Sequence, residues 1–340
     1  MEFKQYLKKF ENDIMSFFGT IHNKLNDENR KKLYIGLAIL IGIILILPPD
    51  VTWAVDRLNY MDYADHSDVT LGRYFKDGIG TVFANEPLFL VINIALSFLF
   101  SNGNVLRIII FVSTFIALYN IGKKTAFNLW VLGFFILIPQ FNVNYVIHLR
   151  QGLALSVYLL GLNQKDYRIE WVLKVLAALI HTSIVFIILF EILDMVLKKI
   201  NLKFNLKLFL VALFFLILVN SFSILSLFIS DRRFEEYAFS TASNASGLGF
   251  LLWFFVGIFF IIMAKRSFTN RISFYGIIFY LTSYYFVEFG ARVFENILPL
   301  IIIGMLNEEN KRIKYLYILF LACYGLVQWY TSGGMNFYIN

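Results

Sequence analysis

The sequence predicts an all-α, polytopic membrane protein, and composition and the length of its apolar runs support this fold class. Apolar residues make up 59% of the 340 residues, phenylalanine alone occurs 38 times, and the mean hydropathy is +0.69. A soluble domain of this length cannot bury so much apolar surface. The apolar runs are long and continuous, as membrane-spanning helices require, and lack the short alternating segments of a β-barrel. We therefore expect a helical bundle.

The N-terminal segment, residues 1–32, predicts a basic amphipathic helix on the cytoplasmic membrane surface. A cleavable signal peptide is disfavoured, because the basic region is long and the next apolar run ends in Pro48, Pro49 and Asp50. The first span should run from about Leu33 to Leu47 within a single transmembrane domain over residues 33–340. The segment's basic residues are Lys4, Lys8, Lys9, Lys24, Arg30, Lys31 and Lys32.

The positive-inside rule predicts the topology of the remaining chain, because clusters of lysine and arginine fall between apolar segments. These clusters account for much of the net charge of +7, so nucleic acid is not an expected partner. The rule gives about eleven spans, a cytoplasmic N-terminus and an outer C-terminus. The predicted cytoplasmic anchors are Lys165 and Arg168; Lys198, Lys199, Lys203 and Lys207; Lys265, Arg266 and Arg271; and Lys311, Arg312 and Lys314.

The two outer loops singled out by the sequence are residues 50–104 and 229–246. The first is rich in aspartate and holds an apolar stretch, residues 87–100, that is short for a span. Asn93 and Ser97 lie at helical spacing on this stretch, so we expect a helix in the membrane interface. This interpretation also keeps Lys123 and Lys124 on the cytoplasmic side.

The segment from Trp171 to Lys198 is too long for one spanning helix and contains the sequence His181-Thr182-Ser183. We predict two short helices that meet near the outer face at these residues. Thr182 or Ser183 should cap the second helix, because hydroxyl side chains accept hydrogen bonds from the first amides of a helix.

Several arginines lie where the chain meets or enters the membrane, and they suggest a pocket for phosphate or carboxylate. Arg150 opens an apolar segment, Arg292 lies at a boundary that we expect to be buried, and Arg232 and Arg233 lie in a polar loop. A guanidinium at such a depth is costly unless an anion holds it. The alternatives are snorkelling to headgroups for Arg150, an ion pair with Glu288 for Arg292, and a solvated loop for the other two.

Three short blocks carry a resemblance to a known family. They are Glu86-Pro87-Leu88-Phe89 after the aspartate-rich loop, Arg150-Gln151-Gly152-Leu153-Ala154 at the head of a span, and Ala177-Ala178-Leu179-Ile180-His181-Thr182-Ser183. In this order the chain resembles bacterial polysaccharide polymerases of the EpsG and Wzy type, membrane glycosyltransferases of the GT-C kind. The blocks cover the first half of the chain, and the second half agrees only in hydropathy and arginines.

The resemblance implies an O-antigen-type polymerase that joins undecaprenyl-diphosphate-linked oligosaccharide repeats at the outer face of the cytoplasmic membrane. Its partners would be these lipid-linked sugars, membrane lipids and a separate chain-length regulator, and no cofactor is expected. Arg150, Arg292 and Arg232 or Arg233 would stabilise the departing diphosphate without a metal ion. The group that activates or positions the acceptor hydroxyl stays open between Glu86, Asp62 and His181.

Sugar contacts are predicted for Tyr237 and Gln151. The tyrosines that could stack on sugar rings are Tyr60, Tyr63, Tyr74, Tyr237, Tyr284 and Tyr285, and a membrane-interface belt is the default interpretation for them. Asp62, Asp65, His66 and Asp68 crowd one stretch, which we interpret as a solvated acidic loop rather than a metal site. Three other functions are considered: an O-antigen ligase, a transporter or flippase of lipid-linked saccharide, and a membrane scaffold without chemistry. The arginines gathered on one side disfavour the scaffold. The single break at His181 has no visible counterpart in the other half, which disfavours a transporter with paired broken helices.

Overall fold

A computed structural model of the chain describes residues 26–225, 247–265, 267–287 and 289–331, and within these ranges the only regular elements are helices. Helices α1–α5 are Asp27–Ile46, Arg57–Asp77, Ile79–Ala84, Pro87–Ser97 and Asn102–Lys124; α6–α10 are Trp130–Leu137, Pro139–Val146, Leu149–Leu162, Tyr167–Ile180 and Ile184–Lys199; α11–α15 are Phe204–Leu225, Leu248–Met263, Phe268–Ser283, Phe289–Leu306 and Lys311–Thr331. The all-α prediction is confirmed for these residues.

The described helices that are long and apolar enough to cross a membrane number four, or up to five if the bent pair α7 and α8 forms one span. Several of the others are shorter than the 20 or so residues that a single span needs, because breaks divide the apolar runs. The prediction of about eleven spans stays a prediction. Residues 1–25 of the basic segment and the outer loop at residues 229–246 lie outside the described residues. The rest of the basic segment begins α1, with Asn26 as its N-cap.

Loops with basic residues gather at one end of the bundle. The Nε atom of Arg30, on α1, donates to the carbonyl of Ala126, 3.2 Å away. The side-chain amide of Asn307, after α14, donates to the carbonyl of Lys124 at 2.9 Å. We call this the basic end. Asn163, at the end of α8, donates to the side chain of Asn120, near the end of α5, at 2.9 Å. The start of α8 and the break between α9 and α10 therefore lie at the opposite end of the bundle.

The acidic stretch of the predicted outer loop is helical in the structure, so its interpretation as a loop was wrong. It forms most of α2, whose inward residues Tyr60, Ala64 and Ser67 recur every three or four positions, as one face of a helix does. The backbone leaves helical geometry at His66. The aspartates lie on the other faces of α2, so the spacing of the buried residues determines the element despite its polar composition.

Helix α4 corresponds to the predicted interfacial helix and has 11 residues. Its polar side chains, however, face protein rather than water. Asn93 is buried and donates to the carbonyl of Phe89 at 2.9 Å. Ser97 donates to the carbonyl of Ala64, on α2, at 2.5 Å. The polar positions therefore fix α4 against α2, and a place in the membrane interface stays a prediction.

The predicted break at His181 is confirmed, since α9 ends at Ile180 and α10 begins at Ile184. The predicted cap is wrong. Ser183 occupies the N-cap position with helical backbone angles and no capping side-chain bond. Its hydroxyl instead accepts a hydrogen bond from the side-chain amide of Asn296, on α14, at 2.8 Å. The hydroxyl is thus used to join two helices rather than to end one.

A buried ionic network joins α8, α9 and α10. The Nζ atom of Lys174 lies 2.6 Å from Glu170 and 2.5 Å from Glu191, and Tyr158 donates to Glu191 at 2.6 Å. Lys174 and Glu191 are only 1% and 2% exposed. Each charged group has an opposite partner at short distance, as burial in a low-dielectric interior requires. We expect this network to fix how the three helices pack.

Candidate functional site

The candidate site is built around the buried carboxylate of Glu86. This residue precedes Pro87, the first residue of α4, and has left-handed backbone angles with φ 60° and ψ 53°. A non-glycine residue pays a conformational cost in this region, which surrounding contacts must offset. The side chain is only 2% exposed, so its charge requires partners within the protein. The tight entry to α4 therefore directs a carboxylate into the bundle.

An arginine and a histidine from other helices contact this carboxylate, one on each oxygen. Oε2 of Glu86 lies 2.6 Å from an Nη atom of Arg150, at the start of α8. Oε1 lies 2.5 Å from Nδ1 of His181, at the break between α9 and α10, and 3.5 Å from the amide of Thr182. The structure thus brings together three residues that the sequence predicted separately, one from each of the three blocks.

Aromatic side chains surround the guanidinium of Arg150. Its centre lies 5.0 Å from the ring of Tyr63, 5.9 Å from that of Tyr60 and 6.0 Å from that of Phe89, within the range of cation–π attraction. The hydroxyl of Tyr63 accepts a hydrogen bond from it at 3.4 Å. The sequence offered Tyr60 and Tyr63 only as belt or sugar-stacking residues, and in the structure both hold Arg150. Burial raises the pKa of Tyr60.

The guanidinium keeps hydrogen-bonding capacity that the protein does not use. Its Nε atom is buried and has no hydrogen-bond partner among the described residues, while the side chain as a whole is 24% exposed. A guanidinium offers five donors in a planar fork. Glu86, Tyr63 and Tyr60 bind only part of this fork. A guanidinium with remaining donors suits a phosphate or carboxylate group, and binding of such a group at Arg150 stays a prediction.

A sharp bend presents Arg150 at the head of its helix. Helices α7 and α8 meet at an angle of 106°. At this bend Nε of the buried Arg57 donates to the carbonyl of Val146, 3.0 Å away, and burial lowers the pKa of Arg57 to about 10. A side chain on Gly152 would meet the carbonyl of Asn144 at 2.0 Å. Only glycine allows the two helices to approach so closely here.

Gln151 joins the start of α8 to α14. It is 2% exposed, and its side-chain nitrogen donates to the carbonyl of Arg292 at 2.8 Å. This bond occupies part of the amide that we predicted for sugar binding, and that role stays a prediction. The side chain of Arg292 is exposed, so the buried boundary expected for it was wrong. Val293 and Phe294, which follow it, are the buried residues of this turn.

A second pair of ionisable groups lies beside the same bend. Nδ1 of His148, at the N-cap of α8, lies 3.4 Å from Oε2 of Glu295, on α14. Sequence reasoning assigned no role to either residue. The only signal was that His148 precedes Arg150 by two positions on the same side of the predicted membrane. Glu295 gave no signal, because its pairing depends on how α14 packs against α8.

The other predicted residues lie apart from this cluster or outside the described ranges. Asp62 is exposed on α2, where its carboxylate lies 3.0 Å from Nδ1 of His66. Arg232, Arg233 and Tyr237 fall between residues 225 and 247, outside the described residues. No group of three or more histidine, cysteine, aspartate or glutamate side chains in the described ranges is arranged to hold a metal ion.

Comparison with known proteins gives one match. The sequence model of the EpsG family matches residues 32–340, which is most of the chain. No curated protein and no solved structure matches the chain. The match extends over the second half of the chain, where the sequence blocks alone gave little support.

Proposed function

This chain belongs to the EpsG family, and from this membership and the site around Arg150 we propose that it is a polysaccharide polymerase of the cytoplasmic membrane. It would join undecaprenyl-diphosphate-linked oligosaccharide repeats at the outer face, by transferring the growing glycan to the incoming lipid-linked repeat. Membrane lipids surround the enzyme in this proposal, and a separate chain-length regulator would be a further partner. The GT-C-like character expected from the resemblance is part of the same proposal.

The observation that carries the proposal is the half-buried guanidinium of Arg150, held by Glu86 and by aromatic rings but with donors left over. Glycan transfer releases a lipid diphosphate, on which negative charge develops as the glycosidic bond to it breaks. A guanidinium held in place by the protein stabilises such charge more than a mobile one would. Arg150 would thus bind the leaving diphosphate, and a metal ion is not required in this scheme.

His181 supports the same role from the opposite side of Glu86. Its Nδ1 atom lies 2.5 Å from Oε1 of Glu86, so the carboxylate is held on both sides and in turn fixes the guanidinium of Arg150. Arg232 and Arg233 would add further positive charge from their loop.

The polarity of the bundle supports an outer-face site. The site lies at the end opposite the basic end, and basic loops of membrane proteins are cytoplasmic. Lipid-linked repeats are polymerised after they have crossed the membrane, so the site and the proposed substrate would share one side.

The proposal is tested by deleting the gene in its native cell and separating the surface polysaccharide on a gel. The deletion strain should show single repeats at the cell surface, and the Arg150→Ala allele should not restore the ladder of long chains. Arg168→Ala, an exposed arginine at the other end of α9, is the matched control and should restore it. A normal ladder from Arg150→Ala, with the protein at normal abundance, would contradict the proposal.

The same gel and a fractionation of the lipid carrier distinguish the alternatives. Single repeats that accumulate on the inner leaflet would indicate a flippase. Long chains that stay on the lipid carrier would indicate an O-antigen ligase. The buried charges at Lys174 and Glu191 give no particular support to a transport path, because each already has a protein partner at 2.6 Å or less.

A further inference from the structure

The pair formed by His148 and Glu295 has the composition of an acid–base dyad. The two side chains are 22% and 14% exposed, and Nδ1 of the imidazole lies 3.4 Å from Oε2 of the carboxylate. Both atoms are buried, and neither has a hydrogen-bond partner among the described residues. Catalytic hydrogen bonds are often long before substrate binds and shorten in the complex. A slight approach would make Nδ1 a donor to the carboxylate and leave Nε2 as an acceptor.

Contacts and short chain steps connect this pair to the Glu86 cluster on both sides. His148 is two residues before Arg150, which binds Glu86. Glu295 is next to Asn296, whose amide donates to Ser183, two residues after His181. Since adjacent Cα atoms lie about 3.8 Å apart, each such step covers at most about 7 Å. Four side-chain contacts and three short steps along the chain thus link one series of residues, which begins and ends at Glu86. The series is Glu86, Arg150, His148, Glu295, Asn296, Ser183 and His181.

The Glu86 carboxylate is less suited to accept a proton from a sugar hydroxyl. Each of its oxygens already contacts a cationic or ionisable side chain, at 2.6 Å and 2.5 Å. Both oxygens are therefore occupied by contacts within the protein. The imidazole of His148 has only the carboxylate of Glu295 as a charged contact among the described residues, and a carboxylate at Nδ1 leaves Nε2 as the acceptor.

We propose that His148 is the general base that takes the proton of the acceptor hydroxyl, and that Glu295 is the positioning residue that holds its ring. This inference rests on the proposed polymerase function. It would place the acceptor sugar beside α14 and the donor diphosphate beside Arg150. The two substrates would then approach the start of α8 from different sides.

The step balances without a further reactant. Nε2 of His148 takes the proton as the acceptor oxygen attacks the anomeric carbon of the donor glycan. The new bond joins this oxygen to the anomeric carbon, and the bond from that carbon to the diphosphate oxygen breaks. Its electron pair stays on the lipid diphosphate, whose charge Arg150 stabilises. The protonated His148 then returns its proton to water.

The test measures a single extension step with the full-length protein in lipid nanodiscs. The substrate is the lipid-linked repeat extracted from cells that lack the gene, and binding is followed by inhibition with undecaprenyl diphosphate. His148→Ala should lower the extension rate by about 100-fold or more while inhibition by undecaprenyl diphosphate is kept. Added imidazole should restore much of the rate, because it can occupy the space of the missing ring. A merely structural histidine would not be restored in this way.

Glu295 is tested by two substitutions and a control. Glu295→Gln keeps the shape but not the charge, and should lower the rate by about tenfold or more, whereas Glu295→Asp should recover part of it. Glu309→Gln, an exposed glutamate at the basic end, should extend chains at the wild-type rate.

The outcomes separate this inference from the function on which it rests. If His148→Ala extends chains at nearly the wild-type rate, or if its loss is not restored by imidazole, His148 is not the base. If Arg150→Ala is inactive in that same experiment, the proposed function still stands. If the wild-type protein itself forms no glycosidic bond between repeats, the proposed function fails and the base assignment fails with it.

Discussion

Oε2 of Glu86 lies 2.6 Å from a guanidinium nitrogen of Arg150, although the two residues are 64 positions apart in the sequence. The carboxylate is almost completely buried, and the guanidinium is partly accessible. The buried carboxylate therefore depends on Arg150 to compensate its charge, whereas Arg150 keeps an accessible side for a ligand. This asymmetry leads to different expectations for substitutions at the two positions.

Replacing Arg150 by lysine should lower chain extension by about 100-fold, because an ammonium is a point charge and cannot present a planar fork to a diphosphate. The rate is measured with lipid-linked repeats in nanodiscs. Arg168→Lys serves as the control and should have normal activity. A fully active Arg150→Lys variant would show that charge alone is sufficient at this position.

Glu86→Gln should destabilise the protein by about 3 kcal/mol, since it leaves the guanidinium and the His181 ring without the buried carboxylate that binds both. The measurement is SDS-induced unfolding in mixed micelles. Glu309→Gln removes an exposed carboxylate that pairs with Lys265, and should change stability by about 1 kcal/mol or less. Equal stabilities of the two variants would mean that Glu86 is not held by this cluster.

Gly152→Ala should destabilise the bend between α7 and α8, because the added carbon would lie 2.0 Å from the carbonyl oxygen of Asn144. The backbone must move to relieve this overlap, at a cost of about 3 kcal/mol, and Arg150 would move with it. Gly133→Ala is the matched control in α6, where no atom lies within 4 Å. It should be neutral or stabilising by about 1 kcal/mol. The prediction fails if both variants unfold at the same SDS fraction.

Lys174→Met should destabilise the protein by about 3 to 5 kcal/mol, because Glu191 would be left buried without its cation. Adding Glu191→Leu should recover much of the loss, since the unpaired charge is then removed as well. Unfolding free energies of the single and double variants measure this coupling. If the double variant is less stable than Lys174→Met alone, the network contributes more than charge compensation.

The sequence predicted the parts of the site that local pattern can reveal. Arg150, His181 and Glu86 are polar residues in or beside apolar segments, where a charge or a break is conspicuous. Their mutual contact could not be deduced, because it requires three helix ends to meet. The same limit applies to Glu295, whose partner lies on another helix, and to Arg292, whose backbone rather than side chain faces the site.

The helical nature of α2 was missed for a different physical reason. Its many aspartates favour a solvated loop by composition, yet Tyr60, Ala64 and Ser67 recur at helical spacing and are buried. Packing of this narrow face against α4 outweighs the low helix propensity of the exposed residues. The periodicity was present in the sequence, but the acidic composition obscured it.

The short helices next to the site determine how far below the membrane surface the site lies. Helices α8, α9 and α10 contain 14, 14 and 16 residues, so at 1.5 Å per residue they rise only about 21 to 24 Å. The hydrocarbon layer of a bilayer is about 30 Å thick. If the basic end lies at one membrane surface, the opposite ends of these helices lie below the other surface. A lipid carrier would then have to sink its headgroup into a depression, or the bilayer around the protein would have to become thinner.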